Sequence, residues 1–149
     1  MSQIKKLTLP LSEKDILDLR AGDILELSGV IYTGRDAAHK RLVELLEKNE
    51  KLPIDVNGGG IYYVGPTPAK PGRAIGCCGP TSSYRMDPYV EPLLKEGLKV
   101  MIGKGPRSNE YKELLKLFIC FDISDSVTYR SDTFCLIIRN VDTEFFFEF

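Results

Sequence analysis

Ile24-Leu25-Glu26-Leu27-Ser28-Gly29-Val30-Ile31-Tyr32, then Thr33-Gly34-Arg35-Asp36, then the run from Asp36 to Lys48 read as a strand, a turn and a helix. The first run carries apolar residues on both faces, the pattern of a strand covered on both sides in a parallel sheet. In the third, Ala38, Leu42, Leu45 and Leu46 recur at helical spacing and make one buried stripe, while Lys40, Arg41, Glu44, Glu47 and Lys48 form a solvated face. A strand feeding a helix through a tight turn is the unit of an α/β layer. It puts Arg35 at the junction where such layers usually present ligand groups. His39, one turn further in, reads as a structural residue near that junction rather than a catalyst.

The same alternation of elements extends outward in both directions. Ile4 to Leu9 is a strand, followed by a short helix with Ser12 as cap, Asp15 as its three-residue partner, and Leu11 and Ile16 as a hydrophobic staple. Ala21-Gly22-Asp23 ends that helix. Beyond the long helix, Lys51 to Gly60 is a loop, Gly60 to Gly65 a β-type run, and Pro66 to Gly72 a stiff connector. Ala74-Ile75 re-enters a strand. Asp87-Pro88 looks like an N-cap with proline at the first helical position, although Pro92 limits the helix before Gly97 to a short or broken one. Lys99 to Ile102 is a further strand and delivers Gly103-Lys104-Gly105-Pro106-Arg107. Asn109 to Phe118 reads as a helix and Phe134 to Ile138 as a strand. The tail from Glu144 to Phe149 is either a strand buried against the core or a partner, or a sticky terminus.

Composition sets bounds on function. With 149 residues, 43% of them hydrophobic, the chain can bury one sizeable core and is read as a single domain, 1–149. A formal net charge of -1 speaks against a general nucleic-acid or membrane binder, so any basic site is local. No apolar run approaches a membrane span and Met1 to Leu19 lacks a signal-peptide core, so a cytoplasmic location is expected. The four cysteines, Cys77, Cys78, Cys120 and Cys135, show no paired C-x-x-C spacing, and His39 is the one histidine. A metal or cluster site built by this chain alone is therefore not expected.

Between Gly72 and Asp87, ends included, lie three glycines, a proline, three aliphatic hydroxyl side chains and two arginines. Gly76 and Gly79 allow close approach of a ligand, and Thr81 to Ser83 can cap the next helix, whose N-terminus favours an anion. Arg85 then lies one turn beyond Thr81. A hydroxyl and a guanidinium converging there make a carboxylate or phosphate site. The plainer alternative is a glycine-rich strand-to-helix turn with a surface arginine, since neither phosphate-loop nor dinucleotide fingerprint is matched. If the strands are neighbours, Lys104 stands beside Arg35 and Arg85, and three strand ends present three cations.

Taken in order, Ala21-Gly22-Asp23, Gly29 to Arg41, Tyr62-Tyr63-Val64-Gly65-Pro66, Gly79-Pro80-Thr81 with Arg85-Met86-Asp87, and Ile102-Gly103-Lys104-Gly105 resemble the β subunit of class I fumarate hydratase and of L-tartrate dehydratase. The likeness covers roughly Leu7 to Asn109, and residues 110–149 are atypical of it. The resemblance implies a swivelling three-layer β/β/α domain with a mostly parallel central sheet. It implies an iron–sulfur hydro-lyase acting on a four-carbon dicarboxylate in a hetero-oligomer, with an oxygen-sensitive [4Fe-4S] cluster carried by an α subunit and not by this chain. By residue-for-residue match it also implies that Arg35, Arg85 and Lys104 bind the substrate's carboxylates and that the Thr81 hydroxyl takes part in proton transfer. The contrasting reading is a non-catalytic anion-binding or protein-interaction module with a degenerate C-terminus.

Overall fold

A computed structural model describes residues 4–20, 23–73 and 76–123, and the backbone of a strand at Cys135–Phe145. The Ala21-Gly22 pair, the strand expected at Ala74 and Ile75, the start of the late strand at Phe134 and residues 146–149 lie outside the described residues; the first helix ends earlier than expected, at Leu17 with Asp18 as its C-cap. In chain order the elements are β1 (Ile4–Thr8), α1 (Glu13–Leu17), β2 (Ile24–Thr33), α2 (Asp36–Glu47), β3 (Gly60–Tyr62), a 3-10 turn (Ser83–Met86), α3 (Asp87–Lys95), β4 (Val100–Ile102), α4 (Asn109–Leu115), β5 (Phe121–Ile123) and β6 (Cys135–Phe145).

Five strands line up as β1-β2-β3-β4-β5, each pair parallel, and β6 also pairs in parallel with β2. This is the α/β fold with a parallel sheet that the strand-turn-helix unit predicts. The two-residue period of a strand divides the core into two sides. Ile61, Tyr63 and Met101 join Leu42, Val90, Leu93 and Tyr111 from α2, α3 and α4 on one side. Val100, Ile102 and Ile123 join Leu25, Leu27 and Ile31 beneath Leu9, Leu11 and Ile16 on the other. Leu25, Leu27 and Ile31 are at most 2% exposed, and each such burial stabilises the fold by about 2–3 kcal/mol.

Of the local capping signals, the one at α1 forms and those at the 3-10 turn and α3 do not. At the start of α1, Asp15 accepts from the backbone N–H of Ser12 at 2.7 Å and from its hydroxyl at 2.6 Å, while Leu11 and Ile16 are buried together. The hydroxyl caps expected from Thr81 to Ser83 do not form. Ser82 precedes the 3-10 turn without a side-chain cap, and the Ser83 N–H is used instead by the Lys104 carbonyl, 2.9 Å away. Asp87 is likewise not a cap of its own helix. It is the first residue of α3, and its carboxylate accepts from the Ser108 N–H at 2.8 Å. Pro92 lies inside α3 without breaking it, because the buried face of Val90, Leu93 and Leu94 holds the helix in place despite the missing donor.

Candidate functional site

Parallel strands end on the same edge of a sheet, and that edge is where this chain collects its cations. Arg35 follows β2, Tyr63 and Val64 follow β3, and Gly103 and Lys104 follow β4. Backbone hydrogen bonds lace these ends together: Gly34 N–H to Tyr62 O at 3.1 Å, Tyr63 N–H to Ile102 O at 2.7 Å, and Gly103 N–H to Ile123 O at 2.9 Å. Thr81, far along the chain from β3, is tied to it by its N–H on Tyr63 O at 2.7 Å. Ser82 forms a parallel bridge with Lys104. The approach is close, because a Cβ on Gly103 would overlap the Ser83 hydroxyl and press on the Tyr63 ring.

Arg35 and Arg85 meet over one carboxylate. Asp36, the first residue of α2, accepts from Arg85 Nε at 2.9 Å through one oxygen, and its other oxygen lies 3.9 Å from Arg35 Nη2. The side chains of Arg35 and Arg85 are 36% and 44% exposed, and Lys104 is exposed, so the rim faces outward. Thr81 is half-buried beside it. The structure thus gathers the four residues singled out in the sequence onto one edge, Arg35 with Arg85 through Asp36, and Thr81 with Lys104 through the Tyr63 and Ser82 connections. Two sizeable concavities lie away from this rim. One is between the Lys51–Asn57 loop and the end of α3, the other between α3 and α4.

His39 sits behind Arg35, fully buried. Its Nδ1 is 2.8 Å from the Arg35 carbonyl, and since a carbonyl only accepts, Nδ1 carries the proton. The ring meets Tyr63 edge-on at 5.1 Å. Burial holds its pKa down, from 6.5 to about 4, so the imidazole is neutral near pH 7 and braces the Arg35 backbone. The neutral form is the one the fold accepts, so its contribution to stability is present above pH 6.5 and is lost as pH falls toward 4. A shift of this size corresponds to about 3 kcal/mol. Thermal melts from pH 7 to pH 4 should show a steep loss of stability in the natural chain and a shallower one in His39→Gln, and parallel slopes would remove His39 as the cause.

Sequence reasoning missed a buried charge cluster beneath the rim. Arg107, 7% exposed, has Nε 2.7 Å from Asp87 and 3.4 Å from Asp122, and its guanidinium lies 3.5 Å over the Tyr111 ring and 5.5 Å over that of Tyr63. Burial works against the charge, but Tyr63, Asp122 and Tyr111 outweigh it and keep the Arg107 pKa above its ordinary value. Read locally, Arg107 is a basic residue in a Gly/Pro turn. Three of its four partners, Tyr63, Asp87 and Asp122, come from other segments of the chain, so no short-range pattern marks the cluster.

Among the described residues no group of three or more His, Cys, Asp and Glu side chains is arranged to hold a metal. Cys77 and Cys78 are exposed neighbours. Burial pushes the Cys120 thiol up to about 11, which keeps the free thiol protonated. The described cysteines are not gathered into a ligand set for an iron–sulfur cluster. No helix among the described residues is long and apolar enough to cross a membrane.

The chain is thus an α/β domain whose parallel sheet gathers two arginines, a lysine and a threonine at its carboxyl edge. The family model described as Fumarase C-terminus matches residues 2–123, past Asn109, and the chain belongs to that family. It is 38% identical over 104 residues to the L(+)-tartrate dehydratase subunit beta of Escherichia coli, covering 68% of this chain and 50% of that protein. It is 43% identical over 111 residues to a protein of Methanocaldococcus jannaschii provisionally named L(+)-tartrate dehydratase subunit beta, covering 72% and 55%. A provisionally named class I fumarate hydratase of Geobacillus stearothermophilus is 36% identical over 114 residues, covering 74% of this chain and 21% of that protein. The chain therefore spans about half the length of the tartrate dehydratase subunits it matches.

Proposed function

We propose that this chain is the β portion of an iron–sulfur hydro-lyase that adds or removes water on a four-carbon dicarboxylate, with fumarate and malate as the first pair to test and L-tartrate and oxaloacetate as the second. The supporting observation is the convergence of Arg35, Arg85, Thr81 and Lys104 on one sheet edge in a member of the Fumarase C-terminus family. Dehydration begins with loss of a proton next to a carboxylate, and negative charge then develops on that carboxylate. Cations already in place bind this charge more strongly than the ground state, which lowers the barrier. In this reading Arg35, Arg85 and Lys104 bind the two carboxylates, and the Thr81 hydroxyl takes part in the proton transfer. A threonine is a weak base in water, so it needs an acceptor from the partner.

The described cysteines do not suit a cluster, so the reading assigns the oxygen-sensitive [4Fe-4S] cluster to an α subunit, where it would act as the Lewis acid for the departing hydroxyl. An outward-facing rim is what a site completed by another polypeptide presents. The test is anaerobic reconstitution with a cluster-bearing α subunit, assayed with malate, fumarate and both tartrate enantiomers. The chain alone should be inactive, and the pair should show oxygen-sensitive turnover. The alternative is a non-catalytic anion-binding or protein-interaction module, and failure of the pair to associate or turn over would decide for it.

A further inference from the structure

Asp36 has no substrate-binding or catalytic role in the reading above, yet it touches two of the residues that do. We propose that Asp36 is a positioning residue that holds the Arg35 and Arg85 guanidiniums side by side and turns the free edge of Arg85 toward the substrate. This rests on the carboxylate-binding reading of the rim.

The geometry carries the argument. Two guanidiniums brought to one small area repel each other, and a carboxylate between them offsets that repulsion. Asp36 is placed to do so by its position at the start of a twelve-residue helix, where unpaired N–H groups and the helix dipole favour negative charge. Arg35 is steadied independently. Its stem lies 3.3 Å from where a Cβ on Gly65 would stand, and its backbone is held by His39.

Arg85 lacks such support. It stands on a four-residue 3-10 turn with its side chain 44% exposed, and the ion pair to Asp36 is its anchor among the described residues. That contact is made through Nε at 2.9 Å. A guanidinium gripped at Nε keeps both terminal nitrogens, so the two-pronged edge that matches a carboxylate stays available. An ordinary exposed ion pair would add little to stability and nothing to turnover. A positioning pair does the reverse, because a small misplacement of a binding group costs on the order of 10²-fold in rate.

The test uses the reconstituted pair, with the natural chain and Arg85→Ala measured beside the Asp36 variants. Asp36→Ala should lower kcat/KM on the order of 10²-fold, chiefly in kcat, while the lost helix-terminal charge lowers the melting temperature by no more than about 3 °C. Asp36→Asn still accepts from Arg85 Nε and should recover a large part of the loss. If the natural pair turns over and Arg85→Ala does not, near-normal kinetics in Asp36→Ala overturn the role of Asp36 alone.

A second readout needs no activity. In the full chain carrying nitrogen-15 arginine, the Arg85 Nε–H should exchange slowly with water, and Asp36→Ala should abolish that protection. Added succinate should shift the Arg35 and Arg85 signals together in the natural chain and separately in the variant. If the pair shows no turnover the hydro-lyase reading falls, and this spectrum still decides the matter. Arg85 protection that survives in Asp36→Ala overturns the proposal.

Discussion

In the reconstituted pair, Arg85→Ala is expected to lower kcat by about 10²–10³-fold, the usual result of removing one preorganised donor from a developing oxyanion. The stability of the chain should hardly change, because Arg85 is exposed and its ion pair to Asp36 is solvent-screened. Arg85→Lys should fail to restore full activity. An ammonium keeps the charge but cannot take Asp36 on one side and two carboxylate oxygens on the other. The check is steady-state kinetics alongside a thermal melt of each variant. A drop in turnover matched by a collapsed melting temperature would mean unfolding, and normal turnover with Arg85 gone would remove it from the site.

The largest effect on folding should come from Arg107→Met. Its guanidinium is inserted between Asp87 and Asp122, with ion-pair side chains only 4% and 9% exposed, and it is stacked over Tyr111. Taking it away leaves two buried carboxylates without their cation, a change that costs about 3–5 kcal/mol in comparable cases. For a domain of this size that is a fall of about 10 °C in melting temperature. Urea unfolding measures it directly, as a lower midpoint at constant slope. Replacing Asp87 and Asp122 by asparagine together with Arg107→Met should recover part of the loss, because the uncompensated charges then disappear. A single Arg107→Met variant as stable as the natural chain would show that the cluster contributes nothing.

The contrast between these two arginines explains what was legible in the sequence. Arg35 and Lys104 were readable because each directly follows an apolar run, and the end of a strand is a local fact. Arg85 stood in a conspicuous Gly/Ser segment, but its contact with Asp36 joins elements far apart in the chain, and nothing in the sequence around Asp36 announces it. Arg107 was overlooked because burial depends on which other segments cover a residue. Helical and strand periodicities located α2, β2 and β4 to within a residue or two, since each buries a regular stripe. They passed over the short strand β5, whose three residues lie among other apolar positions of no clear period. The expected caps at Thr81 to Ser83 failed for a similar reason: a distant carbonyl, that of Lys104, claimed the Ser83 donor.

Thr67 and Cys77 pinch together the base of the excursion that leaves β3 and returns at Thr81: Thr67 N–H meets Cys77 O at 3.1 Å, and Cys77 N–H meets the Thr67 hydroxyl at 2.8 Å. Below that clasp, Thr81 is already moored to Tyr63. The segment above it is therefore a detachable appendage in engineering terms. Its length can be changed without moving Thr81, whose tie to Tyr63 lies on the near side of the clasp.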